Sequence, residues 1–372
     1  MSAEKNPFLR LAAPQIAGLT PYVPGKPVSE LERELGISNS IKLASNENPL
    51  GCGERARAAY LGCADQLGRY PDGGAFALRR AIAEHHGLDA AAVTVGNGSN
   101  DVLDLVARSF LQPGQESVFS EHAFAVYAIA TQAVGATARV AKARDYGHDL
   151  DAMAALVNER TRVVWIANPN NPTGTWLAAD VLRQFIAALP EHCICVVDEA
   201  YYEYVAEPDY PDCSGWLAEF PRLVVTRTFA KVHGLAALRV GYGLSHPQVA
   251  ELMNRVRHPF NVNAPAQAAA IAALADRQHV ERSVGHNRQQ MARLTAGLNA
   301  LGLDWIPSVC NFVTVDLGRP AAAVEQALLR EGVICRPVAN YGLPNHLRIS
   351  VGLADENDRL LAALARVLEA PP

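Results

Sequence analysis

The chain reads as an α/β protein on a mostly parallel sheet, and three observations point there. Short apolar runs alternate with amphipathic, helix-like segments over most of the sequence, the pattern of a layered α/β domain. Three segments open on short, β-branched, apolar runs: TRVVWIANPNNPTGT (161–175), CICVVDEAYYEY (193–204) and LVVTRTFAKVHGLAALRVGYG (223–243). Such runs suit strands buried on both faces. Each also ends in a polar cluster, and open parallel sheets hold ligands at the carboxyl ends of their strands. Asn171, Asp198 and Lys231 are therefore expected to meet in one crevice.

The elements divide the chain into three parts. Residues 1–40 carry the proline- and glycine-rich TPYVPGKP and the helical pattern VSELERELG, an arm that must lie against another part of the molecule or move. From IKLASNENPLG (41–51) to residue 274 strand-like and helix-like segments alternate, VTVGNGS leading into DVLDLVARSFL and SVFSEHAF into AVYAIATQAVGA. This stretch is the expected large domain. Residues 275–372 open on the long helical pattern DRQHVERSVGHNRQQMARLTAGLNALG. The strands NFVTVDLG and HLRISVG follow, with the helices AAAVEQALLREG and ENDRLLAALARVLEA, and the whole reads as a smaller α/β domain.

Composition narrows the function classes. The 372 residues are too many for one simple core. With 49% apolar and 19% charged residues the chain is an ordinary globular one, and a net charge of −5 argues against nucleic acid as a partner. No apolar run reaches a membrane span, and MSAEKNPFLRLAAPQ lacks the core of a signal peptide. The seven scattered cysteines contain no C-x-x-C, and Cys193 with Cys195 falls on an expected core strand, so neither a metal site nor disulfides are expected. A cytoplasmic protein is the reading.

The chemistry lies in the crevice. A lysine beside a buried carboxylate and an amide suits pyridoxal 5′-phosphate, whose aldehyde takes a lysine Schiff base and whose ring nitrogen needs an acidic partner. Lys231 is the expected Schiff-base residue and proton shuttle, and Asp198 the partner of the ring nitrogen. Asn171 and Tyr201 are placed to donate to the ring oxygen. GNGSND (96–101) precedes an amphipathic helix, so the backbone N–H groups of Ser99 and Asn100 are offered to a phosphate. A plain turn remains the alternative, whereas a dinucleotide fingerprint would need glycine where Asp101 stands. Thr228 and Arg239 could close on the same phosphate. Phe124, at another strand end, either stacks on the cofactor ring or packs in the core.

Nearly the whole chain resembles the fold-type-I aminotransferases, and among them the histidinol-phosphate aminotransferases. The resemblance rests on TPYVPGKP, KLASNENPLG, RYPDG, GNGSND, HAFAVY, NPNNPTGT, VDEAYYEY, RTFAK with GLAALRVGY, RHPFNVN, the R-P-V-x-x-Y-G pattern and HLRISVG. It implies a seven-stranded sheet between helices and a homodimer with shared active sites, Tyr70 of RYPDG reaching the neighbouring subunit's cofactor phosphate. It also implies that Tyr22, Arg336 and Arg348 hold the substrate, with Asn171 beside them. The substrates would be L-histidinol phosphate and 2-oxoglutarate. A bidentate arginine such as Arg348 can take either a phosphate or a carboxylate; a solvated loop position is the bland alternative for Arg336.

Two positions depart from the family pattern. Ala230 stands where the family has a serine donating to the cofactor phosphate, so weaker cofactor retention is expected. His233 stands where an aromatic is common and is expected to pack, as is His122, rather than act in acid–base chemistry. Three other functions stay open: an aromatic amino acid aminotransferase, a decarboxylase of a phosphorylated amino acid, and a non-catalytic module that keeps the cofactor fold.

Overall fold

The computed structural model describes residues 6–22 and 24–369. Residues 1–5, 23 and 370–372, parts of the expected arm and C-terminal domain, lie outside the described residues. Seven strands form the main sheet: β1 (Val93–Gly96), β2 (Glu116–Ser120), β3 (Thr137–Ala141), β4 (Thr161–Ala167), β5 (Ile194–Asp198), β6 (Leu223–Thr228) and β7 (Gly241–Ser245). Their spatial order is β1-β7-β6-β5-β4-β2-β3. Strands β3, β2, β4, β5 and β6 run parallel, and β7 is antiparallel to both its neighbours. The mostly parallel sheet read from the sequence is the sheet observed.

The apolar runs are continuous because both faces of the sheet are covered. Along β4, Val163, Trp165 and Ala167 enter one core while Val164 and Ile166 enter the other, the alternation that a period of two imposes. The same alternation separates the polar residues at the end of β5. Asp198 accepts from Thr226 Oγ1 at 2.8 Å, whereas Glu199, the next residue, accepts from Arg227 Nε and Nη2 at 2.9 and 2.8 Å. Arg227 also reaches Asp212 at 2.7 Å and lies over the Tyr202 ring. This buried ion pair, absent from the sequence reading, ties β5 to β6 directly beside the aspartate.

A four-stranded antiparallel sheet of β8 (Asp304–Ile306), β9 (Phe312–Asp316), β10 (Arg336–Val338) and β11 (Leu343–Ser350) builds the C-terminal part, in the order β8-β9-β11-β10. Its core joins Val313, Val315, Leu347 and Ile349 to Leu294 and Leu298 of the Arg277–Ala300 helix and to Leu360 and Leu364 of the Ala354–Glu369 helix. Residues 41–43 pair here rather than with the main sheet. Ile41 and Lys42 lie parallel to Val333 and Ile334, and Leu43 is buried in the C-terminal core. A two-residue strand carries too little periodicity to reveal such a partner. Among the described residues no helix is long and apolar enough to cross a membrane.

Candidate active site

Register decides where the strand-end residues go. Ala167 pairs with Asp198 and Asp198 with Thr226, so β4, β5 and β6 end side by side around a cavity of about 190 Å³. Its wall holds Ser99, Asn100, Thr228 and Arg239, Phe124, Asn171, Asp198, Tyr201 and Lys231, and Tyr22, Arg336 and Arg348. Tyr70 is not among them. It is 83% exposed and stacks on Phe260 with ring centroids 4.7 Å apart.

The Ser99–Phe110 helix starts at this cavity with Gly98 as its cap residue and no side chain capping it, leaving its first N–H groups turned outward. Gly98 has φ 82°, and a Cβ there would stand 2.4 Å from Arg239 Nη2. Only glycine lets the guanidinium lie against the turn. Arg239 itself sits in the left-handed region at φ 55°. A Cβ on Gly241 would meet Ser99 N at 2.3 Å, so β7 also approaches the helix start through a missing side chain. Asp101, which broke the dinucleotide fingerprint, accepts from Asn97 N and Asn261 Nδ2 at 2.8 and 2.7 Å and so holds the turn.

Asp198 is buried and accepts from Tyr127 Oη at 2.9 Å as well as from Thr226. Burial raises its pKa, and the two hydroxyls and the Ala200 N–H oppose the rise. Tyr127 stacks on Trp165, 5.3 Å between centroids and 3° from parallel. Lys231 donates to Ser45 O at 3.3 Å, and its pKa falls to about 8, chiefly through burial, with Arg348 and Arg239 adding to the fall and Glu47 and Asp198 opposing it. A lysine held there is substantially neutral under mildly alkaline conditions, the form that attacks an aldehyde.

Hydrogen bonds assign the remaining donors. Arg348 Nη1 donates to Asn171 Oδ1 at 2.6 Å, which leaves the Asn171 amide N–H groups for a ligand. Asn46 Nδ2 donates to Tyr201 Oη at 2.9 Å, so the tyrosine keeps its own proton to give. Arg348 Nη2 donates to Ala44 O at 2.7 Å, while its Nε is buried with no hydrogen-bond partner. Arg336 and Arg348 are direct cross-strand neighbours on β10 and β11, both buried, and Arg336 lies 5.6 Å from the centre of the Tyr22 ring. Like charges placed opposite one another on a sheet are unfavourable; an anion between them removes the penalty.

Sequence reasoning gave no role to Ser45, Asn46 or Tyr127. The segments carrying them, KLASNENPLG and HAFAVY, stand out as family motifs, but nothing local shows that residues 44–46 cross to the cavity. The two histidines lie outside its lining: His122 Nδ1 is 2.6 Å from Tyr341 O, and His233 is buried against Phe229 with its pKa pushed down to about 3 by burial.

The residues fit pyridoxal phosphate. A lysine amine of lowered pKa, a buried carboxylate held by hydroxyls, and a helix start packed against an arginine match the aldehyde, the ring nitrogen and the phosphate in turn. Fold and site together define a pyridoxal-phosphate-dependent transferase. The chain belongs to the aminotransferase class I and II family, whose sequence profile matches residues 38–364. It is 58% identical over 363 residues to histidinol-phosphate aminotransferase 2 of Pseudomonas fluorescens Pf0-1, covering 97% of this chain and 98% of that one. It is equally similar, 58% with the same coverage, to histidinol-phosphate aminotransferase 2 of Pseudomonas aeruginosa PAO1. Among solved structures, the Sinorhizobium meliloti histidinol-phosphate aminotransferase in complex with pyridoxal-5′-phosphate superposes with a TM-score of 0.88 at 30% identity, over 96% of this chain and 97% of that one.

Proposed function

We propose that this chain is a histidinol-phosphate aminotransferase, moving the amino group of L-histidinol phosphate to 2-oxoglutarate to give imidazole-acetol phosphate and glutamate in histidine biosynthesis. The observation that carries this reading is the pair of buried, cross-strand arginines, Arg336 and Arg348, in the same cavity as Lys231. A site that alternates between a phosphate monoester and a dicarboxylate needs an anion clamp that accepts both, and two guanidinium groups with Tyr22 provide one. Similarity to the Pseudomonas enzymes supports the same choice.

Pyridoxal phosphate, when bound, supplies the electron sink for loss of the substrate Cα proton. Lys231 Nζ would hold the cofactor through its aldehyde carbon and, when free, would be placed to take and return that proton. Asp198, fixed by Tyr127 and Thr226, keeps the ring nitrogen protonated. Asn171 and Tyr201 would donate to the ring oxygen, and Phe124 would cover the ring. Ser99, Asn100, Thr228 and Arg239 would hold the phosphate.

The subunits work as a homodimer with shared active sites: Tyr70, exposed in the single chain and braced by Phe260, reaches the phosphate of the neighbouring cofactor. The enzyme is cytoplasmic, a reading supported by seven cysteines that are all free thiols. A panel of amino donors on the purified holoenzyme tests the function. Histidinol phosphate is expected to be the preferred donor; a large preference for phenylalanine or tyrosine would replace the reading with an aromatic aminotransferase, and release of carbon dioxide with a decarboxylase.

A further inference from the structure

The segment that follows Ile41 and Lys42 meets the lysine turn at several points. Ser45 O accepts from Lys231 Nζ at 3.3 Å, and Asn48 Nδ2 donates at 2.8 Å to the carbonyl of Val232, the residue next to the lysine. One short stretch therefore touches both the reactive end of the side chain and the backbone that carries it. The two backbones also meet directly, since a Cβ on Gly234 would stand 2.0 Å from Gly51 O.

The Asn48 amide has a single orientation. Its Oδ1 accepts from the Leu50 N–H at 3.0 Å, a group that can only donate, so its NH2 is turned to Val232 O, which can only accept. The second N–H goes to Ser283 Oγ at 2.9 Å, on the Arg277–Ala300 helix. Asn48 is buried, yet neither it nor Val232 lines the active-site cavity, whereas Ser45 and Asn46 do. The lysine stands in a turn closed by Gly234 N donating to Lys231 O at 2.9 Å. The Val232 side chain is buried with Tyr201 and Phe312, and His279 lies near the Val232 carbonyl. Asn48 is thus one of a few anchors on a turn whose lysine must stay free to move.

We propose that Asn48 is a positioning residue for Lys231: by fixing Val232 O it sets where the lysine amine stands relative to the cofactor's aldehyde carbon. It touches neither cofactor nor substrate. The inference rests on Lys231 as the Schiff-base residue. Position matters because the amine must reach first the aldehyde and then the substrate Cα proton, and a displacement of about 1 Å can cost about 10²-fold in rate. It matters for charge as well. The Lys231 pKa falls to about 8 chiefly through burial, with Arg348 and Arg239 adding to the fall and Glu47 and Asp198 opposing it. A loosened turn admits water to the amine and returns its pKa toward the ordinary value of about 10.

Asn48→Ser tests this, because a serine hydroxyl can still take the Leu50 N–H but lacks the nitrogen that reaches Val232 O. In this variant kcat is expected to fall about tenfold with KM for both substrates unchanged, as one anchor among several is lost. The pH midpoint for capture of pyridoxal phosphate by the apoenzyme should rise by at least about one unit. Ser283→Ala, which removes the other bond of the same amide, should leave kcat and the midpoint as in the parent. Asn48→Asp keeps the size and sets a carboxylate oxygen against Val232 O, so its kcat should fall further; it decides the matter if the serine variant does not fold, and a kcat equal to the parent's overturns the proposal. An unchanged midpoint in Asn48→Ser, or an equal shift in Ser283→Ala, also overturns it. The lysine is checked separately: a borohydride-sensitive band that survives Lys231→Ala overturns the Schiff-base assignment and the inference with it.

Discussion

The two ends of the active-site cavity are built on different plans. The cofactor end stands on the main sheet and the Ser99 helix, and its key groups are already held: Asp198 by two hydroxyls, the GNGSND turn by Asp101, Arg239 against Gly98. The substrate end is assembled from residues far apart in the chain, Tyr22, Ala44 to Asn46, Arg336 and Arg348, and it retains a buried guanidinium nitrogen with no partner. A cofactor that stays bound can be met by a finished socket. Substrates that alternate need donors still free to be claimed. Within this cavity, the buried nitrogen left without a partner, Arg348 Nε, lies at the end proposed for the substrate and not at the cofactor end.

Breaking the cofactor end should have the largest effect. Lys231→Ala is expected to lower transamination by more than about 10⁴-fold and to abolish the visible band that borohydride removes from the parent enzyme. In the parent apoenzyme, the rate of cofactor capture should rise with pH through a midpoint near 8, where the lysine loses its proton, and level off above it; a midpoint above about 10 would mean an ordinary, solvated lysine. Next comes Asp198→Asn, which keeps the shape and removes the charge proposed to face the ring nitrogen; kcat should fall by about 10²-fold, with the Tyr127 and Thr226 hydroxyls left without their anionic acceptor.

The substrate end should answer more gently. Arg348→Lys cannot reproduce the fork that spans Asn171 and Ala44 O. KM should rise about 10- to 100-fold for both the amino donor and the 2-oxo acid. A rise for only one of them would show that the clamp is not shared. The smallest change is a gain. Ala230 lines the cavity with only its backbone N–H engaged, donating to Thr228 Oγ1 at 3.1 Å. Ala230→Ser should tighten pyridoxal phosphate binding by about tenfold, measured by titrating the apoenzyme. Unchanged affinity would mean that the cup already meets the phosphate's needs.

This division also explains what the sequence revealed. Asn171, Asp198 and Lys231 were legible because each follows an apolar strand, and parallel register alone brings such ends together. GNGSND was legible less surely, since a plain turn reads the same way, and it gained weight only beside a lysine suited to a phosphate-bearing cofactor. The role of residues 44–46 was not, because Asn46 reaches Tyr201 only after Ile41 and Lys42 have paired with Val333 and Ile334. Nor was the Glu199–Arg227 pair, since a charge within an apolar run does not announce its partner across the sheet. Arg336 and Arg348 drew attention through family resemblance, but their direct opposition on neighbouring strands required the fold.

The hydrogen bonds around Arg348 also cross a seam. From the C-terminal sheet it reaches Asn171 on the main-sheet side, and close by Thr314 Oγ1 donates to Pro172 O. These two bonds stitch the C-terminal sheet to the loop that follows β4, beside the proposed substrate clamp. If Arg348 clamps the substrate as proposed, an incoming anion competes with a stitch, and each half-cycle then also resets how firmly the two sheets are fastened.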